Sequence, residues 1–436
     1  MHSRAPSSRP ERGGNLTGSA AGCLPAANHG AGTVAPMAEH ADVVVVGAGP
    51  AGTAAAITAH ERGLRVVWID KATFPRDKTC GDGLTANALR LLERLGVSAA
   101  ELGAAEPAFV HETILVSPSG RRVRLPIASN GAHAAVVPRR SLDAALVQVA
   151  RRRGVAVREG DGIEEVKEVD NAVELTLASG STISSTYVIA ADGHWSTVRR
   201  ALEPGASRDL GEWHAVRQYF EGVDDDRLWV LFERDLLPGY AWVFPLPGGR
   251  ANVGYGVLRS DGRTGRELKD LWPDLLARPL VRDILGPNAR PVEAVHAWPI
   301  PTRYEPARLE HGRVLFAGDA AGVVDPMTGE GIAQAIETGM LAAEAIATGA
   351  DYARLVHRAL GRDLRFAQLL QHILRHPVGA RAAILAADLT PWTRRNFARW
   401  MWEDYPRAIL STPDRWRRGA FATPGAALTT ADTAST

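Results

Sequence analysis

Ala41-Asp42-Val43-Val44-Val45-Val46-Gly47-Ala48-Gly49-Pro50-Ala51-Gly52 decides the fold. Four valines in a row read as a buried parallel strand, because both faces of such a strand are covered. The strand runs into Gly47-x-Gly49-x-x-Gly52 and then into an Ala-rich helix from about Pro50 to Arg62. Val66-Val67-Trp68-Ile69 makes a second strand that ends on Asp70, 18 residues beyond Gly52. In this order the glycines have separate tasks. Gly47 permits the tight turn, Gly49 lets backbone N–H groups approach a pyrophosphate, and Gly52 lets helix and strand pack closely. The helix N-terminus at Pro50 and Ala51 attracts phosphate charge. Asp70 can accept hydrogen bonds from an adenosine ribose. The stretch announces a dinucleotide and leaves NAD and FAD both open.

The rest of the chain bounds the setting. With 436 residues, 45% of them hydrophobic, a large core and two or three domains are expected. Fifty basic residues balance 49 acidic ones, which argues against nucleic acid as a partner. The two cysteines, Cys23 and Cys80, suggest neither a disulfide framework nor a metal site, and they fit a cytoplasmic protein. No run of about 18 apolar residues would span a membrane. Residues 1–36 are rich in Gly, Ala, Ser and Pro and read as a disordered leader, or as a misassigned start with Met37 the true one. Residues 351–420 hold thirteen Arg, no Lys and six Asp or Glu, which makes that segment about +7 and the remainder −6.

Further along, Thr73–Thr85 is a glycine-punctuated loop, and a helix follows at about Ala86–Leu95. Thr113–Leu125 reads as a hairpin around Pro118-Ser119-Gly120. Arg139-Arg140-Ser141-Leu142-Asp143 opens a helix to about Arg153, and strands follow near 155–158, 163–169 and 173–178. Tyr187–Ala191 is another apolar strand, ending on Asp192-Gly193. Residues 212–258 are strand-like and aromatic, as in an antiparallel sheet. Val314–Ala317 is a strand ending on Gly318-Asp319, and a long Ala-rich helix occupies about Gly331–Thr348. The remainder to about Phe421 is helical by periodicity, and 422–436 reads as a disordered tail.

Three apolar strands thus end in acid-bearing turns, where ligands bind in open α/β sheets. The set resembles the FAD-dependent oxidoreductases of the aromatic-hydroxylase and geranylgeranyl-reductase superfamily. The resembling residues are Gly47-x-Gly49-x-x-Gly52 with Asp70, Asp192-Gly193-x-x-Ser196-x-x-Arg199, and Gly318-Asp319-Ala320-Ala321 with Pro326 and Gly329-Glu330-Gly331. Arg139 matches that superfamily's FAD-contacting arginine at a helix start. The resemblance implies FAD contacts from Gly47, Gly49, Pro50, Ala51, Gly52, Asp70 and Lys71 on the ADP side. It implies others from Cys80, Gly81, Arg139, Asp192 and Gly193, and from Gly318, Asp319, Pro326, Gly329, Gly331 and Ile332. Two further blocks are similar to the geranylgeranyl reductase family, which includes menaquinone side-chain reductases. They are Phe74–Thr85 around Cys80-Gly81, and Tyr240-Ala241-Trp242-Val243-Phe244-Pro245 with Asn252-Val253-Gly254-Tyr255-Gly256.

The expected architecture is α/β of a mixed α+β kind. A Rossmann-like FAD-binding domain is built from 37–106, 139–207 and 296–348. An antiparallel substrate domain from 107–138 and 208–295 is inserted in it, and 349–421 form a helical C-terminal region. The resemblance implies reduction of carbon–carbon double bonds in a polyprenyl substrate, a geranylgeranyl group or a menaquinone side chain. An isolated isoprene bond accepts a hydride poorly unless it is protonated, so the site needs a proton donor and an apolar tunnel with aromatic walls. Tyr240, Trp242 and Phe244 alternate and so share one strand face, as a chamber wall or as sheet core. Tyr240 is a candidate weak acid. Cys80 is a candidate proton donor, redox sensor or packing residue. Lys78 reads as a phosphate partner or a solvated charge, and Glu330 as a cap for the helix after it. With no second GxGxxG, NAD(P)H or a reduced redox protein docks transiently as electron donor.

The C-terminal segment interleaves Trp392, Trp400, Trp402 and Trp416 with arginines. It suits peripheral contact with the inner face of a cell membrane, a diphosphate lipid, or a simple helical cap. The rival readings are an FAD-dependent monooxygenase hydroxylating an aromatic or polyketide, and a non-catalytic flavin- or isoprenoid-binding protein.

Overall fold

Glu39–Val46 is a central strand of a sheet: Val43–Val46 pair in parallel with Val66–Ile69 on one side and with Tyr187–Ala190 on the other. The structure is a computed structural model and describes residues 39–127, 129–203, 211–259, 265–402 and 425–428. Val314–Phe316 joins beyond Thr182–Ala190 in parallel, and Val157–Glu159 joins beyond Val66–Asp70 in parallel. Glu310–His311 closes one edge antiparallel. Ile163–Val169 and Ala172–Leu177 form an antiparallel extension on the first half of Thr182–Ala190. Because the central strands are parallel, their carboxyl ends share one edge. Gly47, Asp70, Asp192 and Gly318 therefore come together although the chain separates them widely.

Small residues set the layer above this sheet. The helix Pro50–Glu61 buries Ala51, Gly52, Ala54, Ala55 and Ala56. It packs against the helix Ile332–Thr348 so closely that a Cβ on Gly339 would lie 2.1 Å from the Ala51 carbonyl oxygen. A Cβ on Gly52 would lie 1.8 Å from the Gly47 carbonyl oxygen. Alanine and glycine are what such spacing admits.

The second sheet contains the antiparallel run Trp213–Glu221, Arg250–Leu258, Tyr240–Leu246 and Leu228–Leu231, in that spatial order. The hairpin Glu112–Val116 and Arg122–Pro126 extends it through a parallel contact with Leu228–Leu231. His296–Ile300, which the expected division gives to the first part of the molecule, pairs antiparallel with Trp213–Glu221. No element is expected between Leu258 and His296. Two helices, Gly265–Ala277 and Pro279–Leu285, lie there and cover one sheet face with Leu268, Trp272, Leu275 and Ile284. Pro273 inside the first helix interrupts the pattern that would announce it.

The other sheet face carries Trp242 and Phe244 and meets Ile384 and Ala398 of the C-terminal helices. A small third sheet, Gly83–Thr85, Ala134–Val136 and Ala108–Phe109, anchors the chain just after Cys80. The C-terminal region is helical as expected, through Tyr352–Val356, His357–Gly361, Arg362–Leu374, Pro377–Ala387 and Pro391–Trp402. Trp416, the leader 1–36 and the tail other than 425–428 lie outside the described residues, as do the side chains of Trp400 and Trp402. Residues 425–428 of the expected disordered tail are ordered: Ala426 exchanges backbone hydrogen bonds with Ala132 and is buried with Leu428. Apolar burial holds what composition alone reads as loose. Among the described residues no helix is long and apolar enough to cross a membrane.

Candidate cofactor groove and substrate chamber

The glycine turn takes the form its sequence demands. Gly47 has φ +103°, and a Cβ there would lie 2.4 Å from the Ala191 carbonyl oxygen. Asp70 braces the turn. Its Oδ2 accepts the Ala48 N–H at 2.5 Å and its Oδ1 accepts the Ala72 N–H at 2.7 Å. Gly49 is different, since a Cβ there meets only Arg76 Nη2 at 3.6 Å and Arg139 Nη2 at 3.7 Å. It opens onto two guanidinium groups. One carboxylate places both: Asp143 accepts Arg139 Nε at 2.8 Å and Nη2 at 2.7 Å, and Arg76 Nη1 at 2.8 Å. Burial would raise the Asp143 carboxyl, but Arg139 and Arg76 outweigh it and hold the group below its usual range. A helix N-terminus and two fixed cations converge where a pyrophosphate is expected.

The two later acids differ from one another. Asp192 Oδ2 accepts the Thr197 N–H at 2.7 Å at the start of the helix Thr197–Leu202, whose N-cap is Ser196. Its Oδ1 is buried without a protein partner, and burial pushes its carboxyl up. Asp319 receives Lys78, with Nζ 2.7 Å from Oδ2. Burial would raise Asp319, yet Lys78 and then Arg139 hold it low. Lys78 thus meets a carboxylate from the far end of the sheet. The helix Ile332–Thr348 starts at Gly331 with no side-chain cap. Glu330 does not cap it but accepts the Thr85 hydroxyl at 2.5 Å.

Most of these groups face one cavity of about 550 Å³, with Asp143 buried behind its two arginines. Gly47, Gly49, Pro50, Ala51, Asp70, Lys71, Arg139, Asp192 and Gly193 line it. So do Gly318, Asp319, Gly329, Gly331 and Ile332, and Cys80 and Gly81 lie on the loop that borders it. Two expected contacts do not line it. Gly52 faces the Gly47 carbonyl, and Pro326 is buried aside, its carbonyl accepting Gln371 Nε2 at 2.8 Å.

The same cavity continues along an aromatic wall. Tyr240, Trp242 and Phe244 stand at centroid spacings of 6.1 and 6.0 Å. In register, Tyr240 opposes Gly256 and Trp242 opposes Gly254. A Cβ on Gly254 would lie 2.3 Å from the Trp242 ring, so that glycine makes the room the indole occupies. Trp242 Nε1 donates to Asn252 Oδ1 at 2.9 Å. The Tyr240 hydroxyl donates to the Thr328 carbonyl. Gly81 rests on the rings, its notional Cβ 3.7 Å from both Phe244 and Trp242. Leu370, Ile373, Leu374, Ile384 and Phe397 of the C-terminal helices close the cavity opposite. Burial, and then the neighbouring Asp82, pushes the Cys80 thiol up, so it keeps its proton at neutral pH.

Sequence reasoning quotes Arg76, Asp82, Asp143 and Asn252 without giving them a task. The spacing of Arg139 and Asp143, four residues apart on one helix, is a legible ion-pair signal. Nothing in the pattern marks Asp82 or its partner Tyr219.

The open cradle at Gly49, the paired guanidiniums and the unpartnered Asp192 oxygen fit a dinucleotide, and the long apolar extension suits a ring system beside it. Residues 40–351 match the family model described as FAD binding domain. The chain is 36% identical over 362 residues to a menaquinone reductase of Mycobacterium tuberculosis, covering 78% of this chain and 85% of that protein. It is 34% identical over 332 residues to a digeranylgeranylglycerophospholipid reductase of Methanothrix thermoacetophila, covering 70% and 77%. In fold it is similar to a geranylgeranyl bacteriochlorophyll reductase-like protein of Thermoplasma acidophilum, with a TM-score of 0.68 and 22% identity over 86% of this chain and 99% of that one. The flavin-dependent halogenase CmlS shares the fold at a TM-score of 0.61 and 24% identity, covering 77% and 64%. The chain belongs to the FAD-binding-domain flavoproteins and, within them, to the reductase family of the menaquinone and digeranylgeranylglycerophospholipid reductases.

Proposed function

We propose that this flavoprotein saturates carbon–carbon double bonds of a polyprenyl substrate, a geranylgeranyl group or a menaquinone side chain. The observation that carries the reading is the continuity of the cofactor groove with an apolar chamber walled by Tyr240, Trp242 and Phe244. The names of its relatives agree with it. The Gly47–Gly52 turn, Arg76, Arg139, Asp192 and Asp319 would hold FAD, which would supply a hydride after reduction by NAD(P)H or a reduced redox protein.

The protein supplies the rest. One alkene carbon takes the hydride and the other takes a proton, so a protein group gives up a proton and regains it from solvent. Cys80 is taken as the donor, its thiol carrying a proton at the border of the chamber. Tyr240 is engaged with the Thr328 carbonyl and shapes the wall instead. The rings can face positive charge building on the substrate and exclude water that would trap it.

The C-terminal helices support contact with a membrane surface on the cytoplasmic side. Leu369, Ile373, Val378, Leu385, Leu389 and Trp392 are exposed there, and Ile373 also lines the chamber. A substrate too apolar to dissolve would enter from such a patch. The test is anaerobic: the flavin is reduced with dithionite and mixed with menaquinone or a geranylgeranyl lipid. Reoxidation of the flavin together with two hydrogens gained on the prenyl chain of either lipid supports the proposal. A flavin that stays reduced with both refutes it.

A further inference from the structure

Beneath the aromatic wall lies a carboxyl group to which the reading above gives no task. Asp82 is fully buried and adopts φ +63°, a left-handed turn that aspartate tolerates. Donors from three separate elements reach it. The Tyr219 hydroxyl donates to Oδ2 at 2.5 Å, Asn252 Nδ2 donates to Oδ2 at 2.8 Å, and the Arg139 N–H donates to Oδ1 at 3.2 Å. The Asp82 N–H in turn reaches Cys80 Sγ at 3.3 Å. Asn252 extends the set, since its Nδ2 also donates to the Cys80 carbonyl at 2.9 Å and its Oδ1 holds the Trp242 indole.

We propose that Asp82 is the positioning residue of this site, its carboxylate clamping the Cys80 loop, the Trp242 wall and the first turn of the Arg139 helix to one another. The clamp joins the proton-bearing loop, the substrate wall and the guanidinium that faces Gly49. For the reaction it serves it rests on the reading above, whereas its geometry does not. Only a carboxylate suits the place. Both of its oxygens accept, while an amide offers one acceptor and turns its NH2 on a third donor.

Charge makes the clamp sensitive to acid. Burial pushes Asp82 up to about 6 against the opposing pull of Tyr219, Asn252, Arg217 and Arg139. Lys78 and Arg139 face Cys80 from the same rim, and Arg217 pairs with Asp77 and Glu293 behind Tyr219. Protonating Asp82 removes an acceptor from the Tyr219 hydroxyl and the Arg139 N–H, so the site loosens below about pH 6.

The test uses the full-length flavoprotein in a Cys23→Ser background, where Cys80 is the one thiol. Iodoacetamide alkylation of Cys80 is followed against pH, together with FAD content and the pH profile of prenyl reduction. Asp82→Asn lowers the alkylation midpoint by about one pH unit, because a like charge beside the thiol is gone. It removes the acid limb of kcat near pH 6 and lowers kcat about tenfold, with FAD content within about twofold of the parent. Tyr219→Phe, which keeps the carboxylate and deletes one donor, moves that limb upward. An Asp82→Asn protein with the parent's alkylation midpoint and acid limb overturns the proposal. Where Asp82→Asn does not fold, an unmoved limb in Tyr219→Phe overturns it. Where no prenyl lipid is reduced even by the parent, the proposed function falls, and the alkylation midpoint alone decides the clamp.

Discussion

Lys78 and Asp319 meet across 241 positions of sequence, with Nζ 2.7 Å from Oδ2. The pair ties the loop before Cys80 to the turn after the strand Val314–Phe316, and both residues line the cavity. Lys78→Met leaves a mostly buried carboxylate without its cation, which costs about 1–3 kcal/mol at this partial burial. The sign with pH follows from the lowered Asp319 carboxyl. Its stabilisation is fully present above the ordinary carboxylate value of 3.8 and is lost as pH falls through its lower folded value. Thermal unfolding between about pH 3 and 7 is expected to show a parent advantage that shrinks toward acid.

Gly49 and Gly52 separate cofactor from fold. At Gly49 a Cβ finds ordinary contacts and φ is −79°, so Gly49→Ala keeps the apoprotein's melting temperature. It fills the cradle that faces the paired guanidiniums, and FAD affinity falls by about tenfold or more. Gly52→Ala drives a methyl group to 1.8 Å from the Gly47 carbonyl and destabilises the apoprotein by about 3 kcal/mol or more. FAD titration by fluorescence and unfolding of the apoproteins check both. Equal behaviour of the two variants would break the distinction.

Asp82 sets a stability trend opposite to that of Asp319. Its folded value of about 6 exceeds the ordinary 3.8, so the folded state binds the extra proton between them. Stability from this group is fully present below 3.8 and is lost as pH rises through about 6, by about 3 kcal/mol in total. Asp82→Asn removes that slope. Chemical denaturation of parent and variant at several values between about pH 4 and 7 is expected to show the parent losing ground to the variant as pH rises.

Cys80 and Tyr240 part company in activity. Cys80→Ala lowers kcat for prenyl reduction by at least about tenfold while FAD stays bound. Tyr240→Phe changes kcat by less than about threefold, because its hydroxyl is already engaged by the Thr328 carbonyl. The reverse order of effects in steady-state assays would exchange the two assignments.

The exposed apolar patch is expected to bind bilayers. Leu389→Glu with Trp392→Glu, both side chains well exposed, leaves folding and flavin content intact. Co-sedimentation with vesicles of anionic phospholipid falls by about tenfold. Unchanged sedimentation would remove the patch from the proposal.

The sequence makes part of this molecule plain and hides the rest for physical reasons. The valine strand, the three glycines and the acid-bearing turns are legible because steric demand at Gly47 and Gly52 leaves no substitute residue. The alternation of Tyr240, Trp242 and Phe244 shows their shared face because strand period is fixed. What is not legible depends on contacts between distant segments. Lys78 finds Asp319 only after distant strands of the first sheet have assembled, and Tyr219 finds Asp82 only after the second sheet has packed against the Cys80 loop, and no local pattern records either meeting. Glu330 follows the same logic, since a cap near a helix start is a fair local reading, yet Thr85 from another element takes its carboxylate. The helices between 265 and 285 escape because Pro273 lies within the first of them.

The central claim is that reducing equivalents pass from the bound flavin to a prenyl double bond. The most direct measurement is the mass of the lipid recovered after a single anaerobic turnover of the reduced protein with menaquinone or a geranylgeranyl lipid. The account expects a gain of about 2 Da on the prenyl chain of one lipid molecule for each flavin reoxidised, located by fragmentation after any quinol head group has been reoxidised. A lipid recovered at its original mass while the flavin reoxidises, or one that gains oxygen only when air is admitted, would contradict it.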